Sequence, residues 1–325
     1  MAERPIERVA LLDDYQGVAL AMAPWEALGA GVELHAFADH LADEDALVER
    51  LVGFDAIVAM RERTAFPRSL LARLPELRLL VTTGMRNAAI DVEAAAERGV
   101  TVCGTGGLAT PTTELTWGLI LALQRRIPQE DRAIREGGWQ VALGQGLAGR
   151  TLGVVGLGRI GTQVARIGQT FGMRVVAWSQ NLTAERTAEA GVELASGLRA
   201  LLAEADVVTI HLVLSERTRA LLGAAELSAM RPGAVLVNTS RGPIVEERAL
   251  VEALASGALA GAALDVFDAE PLAADHPLRS APNCVLTPHV GYVTEESYRI
   301  FYGEALEDVR AFAAGAATRV IAAPR

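Results

Sequence analysis

Residues 152–161 have the sequence LGVVGLGRIG, a short apolar run followed by the pattern G-x-G-x-x-G. Apolar residues at helical spacing then continue through residues 160–171. The pattern predicts a strand, a tight turn and a helix, because glycine permits positive φ angles and close approach of a ligand. The first amides of such a helix donate to an anion. The residues predicted to contact the pyrophosphate of a dinucleotide are Gly156, Gly158, Arg159, Ile160 and Gly161.

The glycine turn belongs to a series of apolar strands that alternate with helical patterns. The predicted strands are residues 152–155, 175–178, 207–211, 235–238, 260–264 and 285–287. Strands joined by crossover helices form a doubly wound parallel sheet. We therefore predict a Rossmann cofactor domain of residues 106–291.

An earlier βα series occupies the first hundred residues. Its predicted strands are residues 9–12, 56–60, 79–82 and 100–103, with helices near 41–51 and 91–98. Residues 294–314 are predicted to form an amphipathic helix that packs on the domain built by this series. Pro111, capping threonines at 112 and 113, and Glu114 predict the start of a helix that connects the domains. The fold class is therefore α/β, with two doubly wound parallel-sheet domains, and residues 1–105 plus 292–325 form the second.

Composition excludes several classes of protein. All 30 basic residues are arginine, so Schiff-base lysine enzymes and Walker-type phosphate loops are excluded. The net charge of −10 and the lack of a basic stripe argue against a nucleic-acid partner. The two cysteines lie in apolar stretches and the five histidines lack metal-ligand spacing, so we expect no disulfide and no metal. No apolar run is long enough to span a bilayer and residues 1–5 lack a secretory segment, so we expect no membrane partner and a cytoplasmic protein.

Cofactor choice depends on the residues after the second strand of the cofactor domain. A carboxylate there bonds the ribose hydroxyl of NAD and repels the phosphate of NADP. This chain has Ser179, Gln180 and Asn181 instead, about 23 residues after Gly156. We therefore expect NADP or NAD, with NADP slightly preferred; the usual arginine clamp is missing, and Arg186 is a possible substitute.

Three polar segments follow late strands, where an open α/β sheet binds ligands. They are residues 238–242 (NTSRG), 265–271 (DVFDAEP) and 287–291 (TPHVG). With the glycine turn, these segments closely resemble the D-isomer-specific 2-hydroxyacid dehydrogenases, which include phosphoglycerate dehydrogenases and glyoxylate or hydroxypyruvate reductases. The resemblance extends over nearly the whole chain.

The resemblance implies three catalytic residues and an oxidoreductase that transfers hydride between NAD(P)H and a 2-keto acid or D-2-hydroxy acid. Arg241 would bind the substrate carboxylate, His289 would be the acid/base, and Glu270 would orient His289 and keep it protonated. Guanidinium suits bidentate binding of a carboxylate, and a neighbouring carboxylate favours the protonated imidazole. The resemblance also implies an active site in the cleft between the domains, a flavodoxin-like substrate domain and a homodimer formed through the cofactor domain.

Further cofactor contacts are expected along the same strand ends. His211 would line the groove without catalysing. The resemblance implies that Asp265 contacts the nicotinamide side, and Thr239 would lie on the same wall. The remaining predicted contacts are Leu212, Val213, Thr218, Ser240, Gly291 and Tyr292.

The expected substrate loop, Thr83 to Arg86, departs from the family pattern G-x-G-x-D-N-x-D. Residues 84–91 are GMRNAAID, so the second glycine is Arg86. Val213 also replaces a proline of the family, and Tyr292 stands where a small residue is common. Arg86 could bind a second anionic group or face solvent; we hypothesise that it selects larger or doubly charged 2-keto acids.

Two other classes of function remain open from the sequence. Another carbonyl or an imine could be the substrate of an enzyme on this scaffold. A cofactor-sensing, corepressor-like binding protein could use the same scaffold without catalysis. A formate dehydrogenase is disfavoured because that enzyme pairs its histidine with glutamine, whereas this chain offers Glu270.

Overall fold

A computed structural model describes residues 4–324, which divide into two compact units. One unit runs to Leu108 and resumes at Val293, and the other comprises Ala109–Tyr292. The second unit is thus inserted in the chain of the first. Each unit is built on its own β-sheet.

The described residues contain thirteen strands and eleven α-helices. The strands are β1 Arg8–Leu11, β2 Glu33–Ala36, β3 Ala56–Ala59, β4 Leu79–Thr82, β5 Thr101–Gly104, β6 Thr151–Val155, β7 Arg174–Trp178, β8 Glu193–Leu194, β9 Val207–Ile210, β10 Val235–Asn238, β11 Gly261–Leu264, β12 Cys284–Leu286 and β13 Val320–Ala322. The helices are α1 Glu44–Leu51, α2 Arg68–Leu71, α3 Val92–Glu97, α4 Thr110–Gln124, α5 Ile127–Arg135, α6 Arg159–Thr170, α7 Ala184–Ala190, α8 Leu198–Glu204, α9 Ala224–Ser228, α10 Glu247–Ser256 and α11 Glu295–Ala313.

The sheet of the first unit has the order β13-β5-β4-β3-β1-β2. All neighbours are parallel except β13, which is antiparallel to β5. The central strands β3, β4 and β5 are buried at every position, as expected of parallel strands covered by helices on both faces. Cys103 lies in β5, and its burial raises the pKa of the thiol to about 12.

The sheet of the second unit is parallel throughout, in the order β12-β11-β10-β9-β6-β7-β8. Counted from β6, this is the Rossmann order with one additional strand, and the direction of strand order reverses between β6 and β9. The predicted fold class, two doubly wound α/β domains, is confirmed by these two sheets. The strands β2, β8 and β13 were not predicted.

Side chains cap the starts of four of the described α-helices, α1, α3, α7 and α11. Asp43, Asp91 and Thr294 accept backbone N–H bonds at the starts of α1, α3 and α11. The predicted threonine cap of α4 is wrong, because this helix begins at Thr110 after Ala109 without a side-chain cap. The predicted C-terminal helix is confirmed as α11, which packs on β4 within the first unit.

Candidate active site

The glycine turn joins β6 to α6 at the point where the strand order reverses. Gly156 has a φ of +105°, and a Cβ there would lie 2.6 Å from the carbonyl oxygen of His211. A Cβ at Gly161 would overlap the carbonyl oxygen of Gly156, so the helix packs directly on the turn. Gly158, in contrast, has open space around its Cβ position. The turn therefore leaves room for a ligand beside the first amides of α6, which have no partner within the helix.

The residues after β7 present no carboxylate. Ser179 is half-buried, and Gln180 and Asn181 are exposed. Arg186 lies in the following helix α7, where it pairs with Glu189 at 3.7 Å. No negative side chain at residues 179–181 would repel a ribose phosphate.

Asp265 organises the loop that carries His289. It follows β11, and its side chain is almost completely buried, with 1% of the residue exposed. One carboxylate oxygen accepts from Thr287 Oγ1 at 2.6 Å and Val290 N at 2.8 Å, and the other accepts from Gly291 N at 2.9 Å. Burial raises the pKa of Asp265, and these donors together with His289 oppose that rise.

His289 and Glu270 form a hydrogen-bonded pair. His289 Nδ1 lies 2.6 Å from Glu270 Oε2, and the second oxygen of Glu270 accepts from Phe267 N at 2.9 Å. The two side chains are 20% and 34% exposed. With Nδ1 bonded to a carboxylate, Nε2 is the ring nitrogen left to exchange a proton with a ligand.

Arg241 follows β10 in a loop fixed by Asn238. Asn238 Nδ2 donates to Arg241 O at 2.9 Å, and Asn238 Oδ1 accepts from Ser240 N at 3.0 Å. Arg241 Nη1 donates to Ser240 O at 2.7 Å. The hydroxyl of Ser240 donates to Leu212 O, which joins this loop to the one after β9. Since β9, β10 and β11 are parallel neighbours, the loops with Leu212, Arg241 and Glu270 follow the same edge of the sheet.

Comparison with known proteins assigns the family. The profile described as "D-isomer specific 2-hydroxyacid dehydrogenase, NAD binding domain" matches residues 117–291, more than half of the chain. This chain belongs to that family. The family predicted from the sequence is therefore confirmed.

Individual relatives support the same assignment. The glyoxylate reductase of Aeropyrum pernix is 44% identical to this dehydrogenase over 256 residues, which is 76% of each chain. The (S)-sulfolactate dehydrogenase of Chromohalobacter salexigens is 40% identical over 258 residues, 78% of this chain and 83% of its own. The crystal structure of a phosphoglycerate oxidoreductase from Vibrio cholerae O395 is 38% identical, with a TM-score of 0.91, and the match covers 96% of this chain and 100% of that one.

The second unit of the dehydrogenase fits a nicotinamide cofactor. The matched NAD-binding domain contains the glycine turn, whose open Gly158 and free helix amides suit a pyrophosphate. Beside the turn, His211 N donates to Val155 O at 2.8 Å, and Thr209 Oγ1 lies 3.0 Å from His211 Nε2. Burial lowers the pKa of His211 to about 3, so this imidazole is neutral near pH 7.

Several predicted cofactor contacts have hydrogen bonds within the unit. Thr218 Oγ1 accepts from Ser215 N at 2.8 Å and donates to Val213 O at 2.8 Å, which closes the loop after β9. The carboxylate of Asp265 accepts three hydrogen bonds from the loop that carries His289. Cofactor contact at these two residues stays a prediction, whereas their part in shaping the two loops is observed.

Two threonines of α4 complete the site and were missed by the sequence analysis. Thr112 Oγ1 donates to Gly291 O at 2.9 Å. Thr116 Oγ1 donates to Thr112 O at 2.7 Å and lies 2.9 Å from Thr239 Oγ1, so Thr239 is the donor of that bond. Their spacing of four residues within one helix was the available signal, because it places both hydroxyls on one face.

The predicted substrate loop follows β4 in the first unit. The hydroxyl of Thr83 accepts from Arg61 N at 2.9 Å, and Gly84 N donates to Thr105 Oγ1 at 2.9 Å. The hydroxyl of Thr83 and the amide of Gly84 therefore already have hydrogen-bond partners within the first unit. Met85 and Arg86 are exposed.

Two features are absent from residues 4–324. Within that range, no cluster of three or more His, Cys, Asp or Glu side chains could hold a metal ion. None of the helices there is long and apolar enough to cross a membrane.

Proposed function

We propose that this dehydrogenase interconverts a short 2-keto acid and the corresponding D-2-hydroxy acid, with His289 as the acid/base. The observation that supports this most strongly is the 2.6 Å contact between His289 Nδ1 and Glu270 Oε2. It orients the ring and leaves Nε2 to donate a proton to the keto oxygen, or to remove one from the hydroxyl in the reverse direction. A nicotinamide cofactor, when bound, supplies or accepts the hydride.

Arg241 binds the substrate carboxylate in this proposal. A guanidinium presents parallel N–H donors to two carboxylate oxygens, which fixes both position and orientation. The bond from Asn238 to the backbone of Arg241 holds the start of that side chain in place. Asp265, Thr112 and Thr116 act through the loops that they hold and are positioning residues.

The test is an assay of reduced-nicotinamide oxidation with glyoxylate, hydroxypyruvate, pyruvate and phenylpyruvate. We expect turnover by the wild-type enzyme, and a loss of about 100-fold or more in kcat for His289→Gln with cofactor affinity retained. Arg310→Gln, an exposed change on α11, is the control. Tight cofactor binding without turnover of any carbonyl compound would refute the proposal and favour a cofactor-sensing protein.

We also propose a preference for NADP over NAD. Ser179, Gln180 and Asn181 carry no charge that would repel the ribose phosphate, and their amide and hydroxyl groups are able to donate hydrogen bonds to it.

A homodimer formed through the second unit is the proposed assembly. The segment from α5 to residue 143 exposes large apolar side chains, of which Trp139 is 74% and Leu143 is 93% exposed. Ile127 and Ile134 of α5 are also more than half exposed. Clustered exposed apolar side chains are typical of a surface that another protein covers, and a second copy of this chain is the partner proposed here.

A further inference from the structure

A cavity of about 340 Å³ lies in the second unit, between the junction of two helices and the segment that enters the last strand of the sheet. The helix junction, where α4 ends and α5 begins, contributes Arg126 and Arg132. The other wall is residues 279–285, which begin with Arg279 and run into β12. All of the lining residues belong to the second unit. This site is called the arginine cavity below.

The arginine cavity is remote from the candidate active site of the same unit. Thr112, near the start of α4, donates to Gly291 O, whereas Leu123, near the end of α4, lines the cavity. An α-helix rises about 1.5 Å per residue, so these two points are about 16 Å apart along the helix. The chain likewise enters β12 at the cavity, and His289 follows the other end of that strand. A ligand in the cavity would therefore leave the glycine turn and the catalytic pair unoccupied.

The lining of the arginine cavity is positively charged. Three guanidinium groups line it, and none of its described lining residues carries a carboxylate. Within residues 4–324, the guanidinium groups of Arg126 and Arg132 make neither an ion pair nor a hydrogen bond. The chain as a whole has a net charge of −10, so this local excess of positive charge does not follow from its composition. Unbalanced cations in a concave site attract anions.

Two acidic side chains of α5 are engaged outside the arginine cavity. The carboxylate of Glu130 accepts from Ala142 N at 2.7 Å. Asp131 pairs with Arg135 at 2.9 Å. Neither carboxylate lines the cavity, so they do not neutralise its arginines.

Arg279 is held in place without losing its charge. Its Nε donates to Ala273 O at 2.7 Å, and its Nη2 donates to Leu272 O at 2.7 Å. Both acceptors are neutral carbonyl groups, and Nη1 donates to no acceptor in the described part of the chain. A guanidinium that is fixed in advance loses less conformational entropy when it binds an anion.

Neutral polar groups and apolar side chains form the rest of the wall. Gln129 Nε2 donates to Asn283 Oδ1 at 3.3 Å, which joins α5 to the segment before β12. Asn283 Nδ2 donates in turn to Ala260 O at 3.2 Å. Leu123 and Val285 add apolar surface. Fixed cations beside apolar walls suit a small organic molecule that carries a strongly charged group.

The side of α5 that faces the arginine cavity is not the side proposed to form the homodimer. Gln129 and Arg132 are three residues apart and share one face of the helix. Ile127 and Ile134 are seven residues apart, share another face and are exposed. At about 100° per residue, the two faces are nearly opposite. Assembly through the exposed isoleucines would therefore leave the cavity accessible.

We infer that the arginine cavity is a second ligand site of the enzyme, which binds a small molecule that carries one or two phosphate groups. A guanidinium presents parallel N–H donors to phosphate oxygens, and three arginines are able to share a multiply charged anion. Because the cavity is remote from the glycine turn, this ligand binds together with the nicotinamide cofactor and does not compete with it. The inference goes beyond the proposed function and does not depend on which 2-keto acid is reduced.

The test is isothermal titration calorimetry with inorganic pyrophosphate on enzyme saturated with NADPH or NADH. Saturation is needed because the glycine turn also suits a pyrophosphate. We expect one site per chain with a Kd of about 1 mM or tighter. Arg126→Gln and Arg132→Gln should each weaken binding by about tenfold or more, because each removes a charged donor. Arg248→Gln, at an exposed arginine of α10 outside the cavity, should leave the Kd unchanged.

Three results would overturn the inference. They are a lack of binding to the cofactor-saturated enzyme, binding that survives both Arg126→Gln and Arg132→Gln, and binding that the cofactor abolishes, which belongs to the glycine turn. If pyrophosphate did not bind and Arg132→Gln dissociated a dimer in sedimentation velocity, the cavity would instead be part of the interface with a second copy. The reduction of 2-keto acids is assayed without pyrophosphate, so these outcomes leave the proposed function untouched.

Discussion

His289 has a left-handed backbone conformation, with a φ of +53°. For a residue other than glycine this conformation costs about 1 kcal/mol or more. The two amides that follow His289 are bonded to the buried carboxylate of Asp265, which stabilises the turn. The same residue has the unfavourable backbone conformation and the contact with Glu270. This coincidence supports a functional role for His289, because strained backbone is often found at functional sites.

Ser179 offers a direct test of cofactor choice. Ser179→Asp places a negative charge after β7, so NADPH should bind at least about tenfold more weakly while NADH binding is retained. Fluorescence titration of each reduced cofactor measures this. Ser228→Asp adds the same charge on α9 and should change neither affinity. Wild-type affinity for NADH equal to or higher than that for NADPH would contradict the proposed preference.

His211 should make the stability of the enzyme sensitive to acid. Its pKa is about 3 in the folded protein and about 6.5 when unfolded, so between these values the unfolded chain binds more protons. The contribution of His211 to the free energy of unfolding is therefore fully present above pH 6.5. It declines as the pH falls, by up to about 2 kcal/mol at pH 5.

Thermal unfolding at pH 7, 6 and 5 tests this expectation. The unfolding midpoint of His211→Gln should fall less between pH 7 and pH 5 than that of the wild type. His35→Gln, at a more exposed histidine, serves as the control. Identical pH profiles for wild type and His211→Gln would refute a His211 that stays neutral in the folded enzyme at pH 5.

At the scale of elements, the loop between β12 and α11 depends on one carboxylate. Asp265→Asn replaces an acceptor of three hydrogen bonds by an amide whose NH₂ group faces donors. We expect kcat to fall by about 10- to 100-fold with little change in the KM for cofactor, and the unfolding midpoint to decrease, because a buried donor left unbonded costs about 1–3 kcal/mol.

Steady-state kinetics and thermal unfolding separate the two effects of Asp265→Asn. Thr287→Val removes one of the three donors and should produce a smaller change of the same kind. If kcat stayed normal while the unfolding midpoint dropped, Asp265 would have a structural role only.

Elements could be predicted from the sequence where an apolar run is buried on both faces. The runs in β3, β4, β9 and β10 show no alternation because helices cover both sides of the sheet. The missed strand β2 is an edge strand with the sequence ELHA and exposed positions, and β8 has two residues. Their pairing with the preceding strands, β1 and β7, supplies the order that their own sequences do not indicate.

The residues of the site also differ in how far the sequence predicts them. Glycine spacing and the residue types at 241, 270 and 289 predicted the family, which the comparisons confirm. The bonds between Thr112 and Gly291 and between Thr116 and Thr239 join residues more than a hundred positions apart. Such pairs follow from the packing of α4 on the sheet and carry little signal in a single sequence.

At the scale of the whole molecule, the exposed segment of Trp139 and Leu143 predicts assembly. Leu143→Arg combined with Trp139→Arg should convert a dimer into a monomer, because a charge buried in an apolar interface has no partner. Sedimentation velocity measures the change. Leu194→Arg, on the exposed edge strand β8, is the matched control and should remain dimeric. A wild-type protein that sediments as a monomer would refute the proposed homodimer.

The position of β13 has a consequence for how the chain folds as it is synthesised. All seven strands of the second sheet lie before residue 287, whereas the edge of β5 is covered only by residues 320–322. On a ribosome, the second unit can therefore complete its sheet while the first still presents an unpaired edge, to which other nascent chains could add. The first unit is completed last, although its strands β1 to β5 are the first to emerge.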